Sequence, residues 1–139
     1  MHGLTQSYIV DKSQLECVLL NNKNLVTEFN SPYFLLIYSV MPKFTKISVY
    51  SLKKIPVMKI IIEGSQITET TIDHIMRLLN FHEPRILHTS GIVYNRNIYV
   101  YEIFFTGVEY TFGLDLQNAI QQISGVEFFD YVLLYPQDK

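Results

Sequence analysis

The sequence predicts an α+β protein: a curved antiparallel sheet of eight strands, open or closed into a barrel, with about three helices at its periphery. Three observations point there. Short apolar runs rich in Val, Ile, Tyr and Phe recur along the 139 residues, and those separated only by brief turns must run antiparallel. Three other stretches repeat their apolar residues at helical spacing. The run from Gly91 to Phe105 shows the strand pattern most clearly. Two aromatic, apolar arms flank Asn95-Arg96-Asn97, a polar break tolerant of positive φ, and read as a hairpin. In the second arm, Tyr99, Tyr101, Ile103 and Phe105 alternate with Ile98, Val100, Glu102 and Phe104. Only Glu102 is charged, so both faces of this strand should be covered.

The elements follow in order. Leu4 to Val10 reads as a strand, and Asp11 as the cap of a helix with Leu15, Val18 and Leu19 on one face. Val10 and Leu15 occupy staple positions around that cap, and Ser13 with Glu16 offers a competing capping box. Asn21 to Asn24 should end the helix. Tyr33 to Val40 is a strongly apolar strand, turned at Met41-Pro42-Lys43 into a second through Ile47, Val49 and Tyr50. Lys53 to Pro56 breaks the chain before Val57 to Ile62. Thr68 caps a second helix carrying Ile72, Ile75, Met76 and Leu79, which stops near Asn80 because Pro84 disfavours helix before it. Arg85 to Tyr94 and Ile98 to Phe105 form the hairpin. Val108, Tyr110 and Phe112 predict a further strand, Asp115 the cap of a third helix ending at Gly125, and Phe128 to Tyr135 the last strand. No linker or repeat interrupts the chain, so residues 1–139 read as one barrel-like domain.

Composition narrows the function classes. Nearly half the residues are apolar (48%), with ten Tyr and nine Phe, which argues against disorder. The single cysteine, Cys17, excludes an intrachain disulfide framework and fits a reducing compartment as a packing residue. No apolar run is long enough to span a membrane, and the N-terminus lacks the pattern of a secretion signal, so an intracellular soluble protein is expected. The net charge of −2 hides an asymmetry: Lys43, Lys46, Lys53, Lys54 and Lys59 lie between Phe29 and Ile62, where there is no Asp or Glu. The stretch is either a solvated face or a basic patch for an acidic partner or a phosphate. Without arginine forks it is a poor nucleic-acid footprint, and no direct nucleic-acid contact is expected.

Catalytic constellations are sparse. His2, His74, His82 and His88 form no helical metal-binding pair, and neither a phosphate-binding glycine loop nor a nucleophile elbow occurs. No catalytic, cofactor or metal residues are assigned.

Two regions carry a family resemblance. One is Leu4-Thr5-Gln6-Ser7-Tyr8-Ile9-Val10-Asp11-Lys12-Ser13 followed by Leu15-Glu16-Cys17-Val18-Leu19. The other is Ile75-Met76-Arg77-Leu78-Leu79-Asn80-Phe81, then Gly91-Ile92-Val93-Tyr94 and Ile98-Tyr99-Val100-Tyr101-Glu102-Ile103-Phe104. In these regions the chain resembles subunit eighteen of the Mediator complex, a head-module component of the RNA polymerase II coactivator. Ser7, Asn80 and Ser90 stand where that family usually has glycine, glycine and a basic residue. The resemblance implies a nuclear, non-enzymatic subunit in transcription regulation. It also implies a barrel related to tunnel-shaped triphosphatases, a heterodimer with subunit twenty, and a binding site for a C-terminal helix of subunit eight.

Two alternatives stand beside it: a divergent phosphohydrolase of the same barrel family, and an unrelated small β-rich adaptor or viral protein. The tunnel enzymes hold metals on a Glu-x-Glu-x-Lys strand, whereas here Glu63 precedes Gly64-Ser65 and Glu102 precedes Ile103-Phe104. A chain of this length can bury only part of its aromatic surface. Tyr99, Tyr101, Tyr110 and Phe112 are therefore the candidate partner-binding residues, since tyrosine offers a large ring and a hydroxyl for an interface rim.

Overall fold

Asp11 is where the first strand, β1 (Gln6–Asp11), becomes the first helix, α1 (Lys12–Val18). Its carboxylate accepts a hydrogen bond from the Gln14 N–H (2.9 Å), and the Gln14 side chain accepts one from the Asp11 N–H (2.9 Å). This is a reciprocal capping box, built from Asp11 and Gln14 rather than from Ser13 and Glu16. The Ser13 hydroxyl instead donates to the Asp11 carboxylate.

The computed structural model describes residues 4–19, 30–65, 69–81, 85–95, 98–106 and 111–137. They divide into two compact units. The N-terminal unit comprises Thr5–Pro56 with Leu134–Lys139, and the C-terminal unit Val57–Leu133 with Met1–Leu4. The fold is α+β, with three helices and two sheets among the described residues.

In the N-terminal unit, β1, β2 (Tyr33–Val40) and β3 (Thr45–Leu52) form an antiparallel sheet in that order. The turn between β2 and β3 is tight: the Met41 N–H donates to the Phe44 carbonyl (2.8 Å), leaving Pro42 and Lys43 at its tip. Leu15 of α1 packs on Val10, Phe34 and Leu36, all buried, with Val18 and Leu19 beside them. The edge of β1 is covered by the last described residues, where Ile9 bridges Pro136 and its carbonyl accepts from the Gln137 N–H. The break expected at Lys53 to Pro56 follows β3, and the Ile55–Pro56 bond is cis.

The C-terminal unit contains β4 (Val57–Ser65), α2 (Glu69–Phe81), β5 (Arg85–Asn95), β6 (Ile98–Thr106), α3 (Phe112–Ile120) and β7 (Val126–Leu134). Its sheet runs β5-β6-β4-β7, which places β6 inside as its two-sided apolar pattern requires. Ile60 stands opposite Ile103 and Met58 opposite Phe105. That face packs against Ile75 and Leu79 of α2 and Leu116 and Ile120 of α3. One strand end needs glycines: a Cβ on Gly64 would run into the Gly125 carbonyl oxygen, and Gly125 itself adopts φ 93°.

Three expectations change. The described strands form antiparallel sheets of three and four that do not close, where one curved eight-stranded sheet or barrel is expected. The strand expected through Val108, Tyr110 and Phe112 does not include Phe112, which opens α3; residues 107–110 lie outside the described set. Phe112 satisfies both periods, alternating with Tyr110 but also standing four residues before Leu116 and eight before Ile120. Burial of all three on one helix face decides between them. Asp115 is consequently in the first turn of α3 rather than its cap, and Thr111 occupies the cap without a side-chain bond. The Thr68 cap of α2 lies outside the described residues.

Replacing Asp11 with Ala removes one side of the capping box. It should lower stability by about 1 kcal/mol, read as a shift in the urea midpoint at constant slope.

Candidate functional site

Of the four candidate partner-binding aromatics, the three that are described are not gathered on one surface. Tyr99 is 2% exposed and Phe112 8%, and both belong to the core of the C-terminal unit. Phe112 meets Phe105 edge-to-face, with ring centroids 5.6 Å apart. Tyr101 is half-buried against the same core, and its ring lies where a Cβ on Gly91 would sit. Tyr110 lies outside the described residues. Tyr99 and Tyr101 line a cavity of about 10 Å³ with Ile72, Ile75 and Met76, barely the room of one water. Among the described residues the Tyr99 hydroxyl has no hydrogen-bond partner. Burial, with the Glu127 carboxylate adding to it, pushes its pKa above the usual tyrosine value.

On the other face of the same sheet Lys59 of β4 meets Glu102, the one charge of β6. Lys59 pairs in register with Phe104, and Ile61 with Glu102, so Lys59 and Glu102 are diagonal neighbours on one face. Their ammonium and carboxylate groups are 3.5 Å apart and buried. Glu102 Oε2 also accepts the Leu4 N–H (2.6 Å), and the Lys59 Nζ sits 5.4 Å from the centre of the Phe104 ring. His88 of β5 meets Phe104 edge-on at 5.8 Å, and its Nε2 lies 2.9 Å from the Ser90 hydroxyl oxygen. The carboxylate is thus held by a cation and a backbone donor. Among the described residues no group of three or more His, Cys, Asp or Glu side chains could hold a metal ion.

This centre was legible only in part. Glu102 stood out as the single charge of its strand, whereas Lys59 was grouped with a basic stretch. Within Val57 to Ile62, Lys59 is likewise the only charge, and two lone opposite charges in adjoining apolar strands were the available signal. Lys59 therefore leaves the basic patch, while Lys43, Lys46, Lys53 and Lys54 are exposed.

The N-terminal unit carries two further surfaces. A groove of about 360 Å³ runs beside α1, lined by Tyr8, Val10, Cys17, Val18, Leu36 and Tyr38 together with Gln14 and Gln137. The adjoining helix α1 has seven residues and spans only about 10 Å of the sheet. At the β2–β3 turn, Val40 (72%), Met41 (46%), Phe44 (62%) and Ile47 (40%) are all exposed beside Lys43 and Lys46. His74 is exposed on α2, and Cys17 is an exposed free thiol rather than a packing residue. His2 and His82 lie outside the described residues.

Compared with protein-family models and with curated proteins, the chain matches none. No described helix is long and apolar enough to cross a membrane.

Two outcomes are expected. Glu102→Gln removes the carboxylate that faces the buried Lys59 ammonium and should cost about 3–5 kcal/mol in chemical denaturation, with Glu102→Leu/Lys59→Met recovering much of it. Tyr99→Phe removes an unsatisfied buried hydroxyl and should raise stability by about 1–2 kcal/mol. The raised Tyr99 pKa means the folded state favours the neutral phenol. Wild-type stability should therefore fall as pH rises from the unfolded value of 10.0 towards the folded one, a loss that Tyr99→Phe diminishes in alkaline melts.

Proposed function

We propose that the chain is a non-enzymatic structural subunit of the Mediator head module, a nuclear coactivator of RNA polymerase II transcription, and works through protein–protein contacts. It pairs with subunit twenty as a heterodimer and receives a C-terminal helix of subunit eight. The observation that carries the reading is the passage of α2 directly into the β5–β6 hairpin. Those elements hold Ile75 to Phe81, Gly91 to Tyr94 and Ile98 to Phe104, the stretch in which the sequence resembles subunit eighteen. The family's barrel, related to the tunnel triphosphatases, belongs to the same proposal.

The non-enzymatic part is supported by the engagement of Glu102. A tunnel phosphohydrolase needs several carboxylates free to hold metal ions on one strand face. Here the hairpin's one carboxylate is held by Lys59 and the Leu4 N–H, with Phe104 and Val100 as its same-face neighbours on β6. The exposed apolar residues of the β2–β3 turn suit a protein that is covered in an assembly.

Co-expression with subunits twenty and eight should give a stable complex on size exclusion, with no metal-dependent release of phosphate from tripolyphosphate. A chain that binds neither subunit overturns the Mediator reading and leaves a separate adaptor. Phosphate release abolished by Glu102→Gln establishes the phosphohydrolase instead.

A further inference from the structure

A strand at the edge of a sheet presents unpaired N–H and C=O groups, and proteins usually guard such edges with charge, proline, bulges or cover. Among the described residues the two sheets have four edge strands, β1, β3, β5 and β7. β1 is covered by the bridge from Ile9 to Pro136 and the hydrogen bond from Gln137. β3 carries the exposed Lys46 and is followed at once by the exposed Lys53 and Lys54. β7 carries the exposed Glu127 and Asp130.

β5 differs. Its only strand neighbour among the described residues is β6, and it contains no lysine, carboxylate or proline. Register shifts at Ile86/His88 and Val93/Asn95 mark its two ends, leaving His88–Val93 as an uninterrupted stretch the length of an ordinary strand. Within it Thr89 and Gly91 are exposed, as are Ile92 (45%) and Val93 (54%), which point to opposite faces of the sheet.

We propose that β5 is a self-association edge, where His88–Val93 pairs antiparallel with the same stretch of a second copy of this chain about a two-fold axis near Gly91. The charge pattern selects that occupant. The segment from Thr89 to Val93 is uncharged, so neither an acidic nor a basic strand finds a counter-charge there, whereas a second β5 matches it. Antiparallel pairing about Gly91 sets each His88 six residue steps from its copy, about 20 Å along the strand, and each Arg85 twice as far. Both separations exceed the Debye length of about 8 Å, so like-charge repulsion across the seam is screened whatever the charge on His88. Antiparallel pairing is also the arrangement that closes with two-fold symmetry, presenting the same patch from both copies. The inference stands independently of the Mediator reading.

Sedimentation velocity of the purified full chain over a wide concentration range tests it. The wild type should shift from monomer to dimer with concentration. Ile92→Lys and Ile92→Glu should each weaken self-association at least about tenfold while keeping the wild-type melting temperature, because Ile92 is exposed in the monomer. An equimolar mixture of the two should associate again, because the residues at position 92 lie diagonally across the seam, about 7–8 Å apart. Any one of four outcomes overturns the proposal: a wild type that stays monomeric throughout, an Ile92→Lys variant that dimerises like the wild type, a mixture that does not associate, or an edge that takes up only a strand from a different protein.

Discussion

Glu102 imposes the tightest physical constraint on this chain. Removing a carboxylate from water costs several kcal/mol even after local relaxation, and β6 leaves this one with no exposed area. The cost is offset only where a cation and hydrogen-bond donors meet it in good geometry, and Lys59 with the Leu4 N–H fulfils that condition. Sliding β4 by one residue against β6 moves Lys59 to the opposite face and separates the two buried charges. The pair therefore holds the register that aligns Ile60 with Ile103 and Met58 with Phe105, on which the packing of α2 and α3 depends. It also fixes Leu4 beside β6, because the Leu4 N–H supplies the donor.

The two units meet the demand for burial differently. In the C-terminal unit one sheet face is covered by two helices, and its aromatic rings are used internally: Phe105 against Phe112, Tyr99 beneath α2. Among its described residues the N-terminal unit has one short helix for its sheet, and a groove lies beside Tyr8 and Tyr38. Its hairpin turn adds exposed Val40 and Phe44. Exposed apolar surface thus concentrates on the turn and the groove, away from the buried Tyr99 and Phe112.

Element type was legible in the sequence wherever one period dominated. Tyr33–Val40 matches its predicted span, because eight residues without a charge or breaker admit little but a buried strand. Asp11 was readable as a cap, since a side chain acting on a backbone N–H three residues away is a local event. Phe112 was misplaced because it fits a two-residue and a four-residue repeat equally, and only its burial beside Leu116 chose the helix.

What the sequence by itself determined was local: the periods, the caps and the breaks that make three helices and antiparallel strands. Tertiary structure decided how strands were shared between two sheets, that Lys59 belongs to Glu102 rather than to the basic stretch, and that Tyr99 and Phe112 lie inside. The physical reason is that period and capping act over a few residues. Burial and charge pairing depend on which distant strand lies alongside, as Lys59 and Glu102 do across the β4–β6 register.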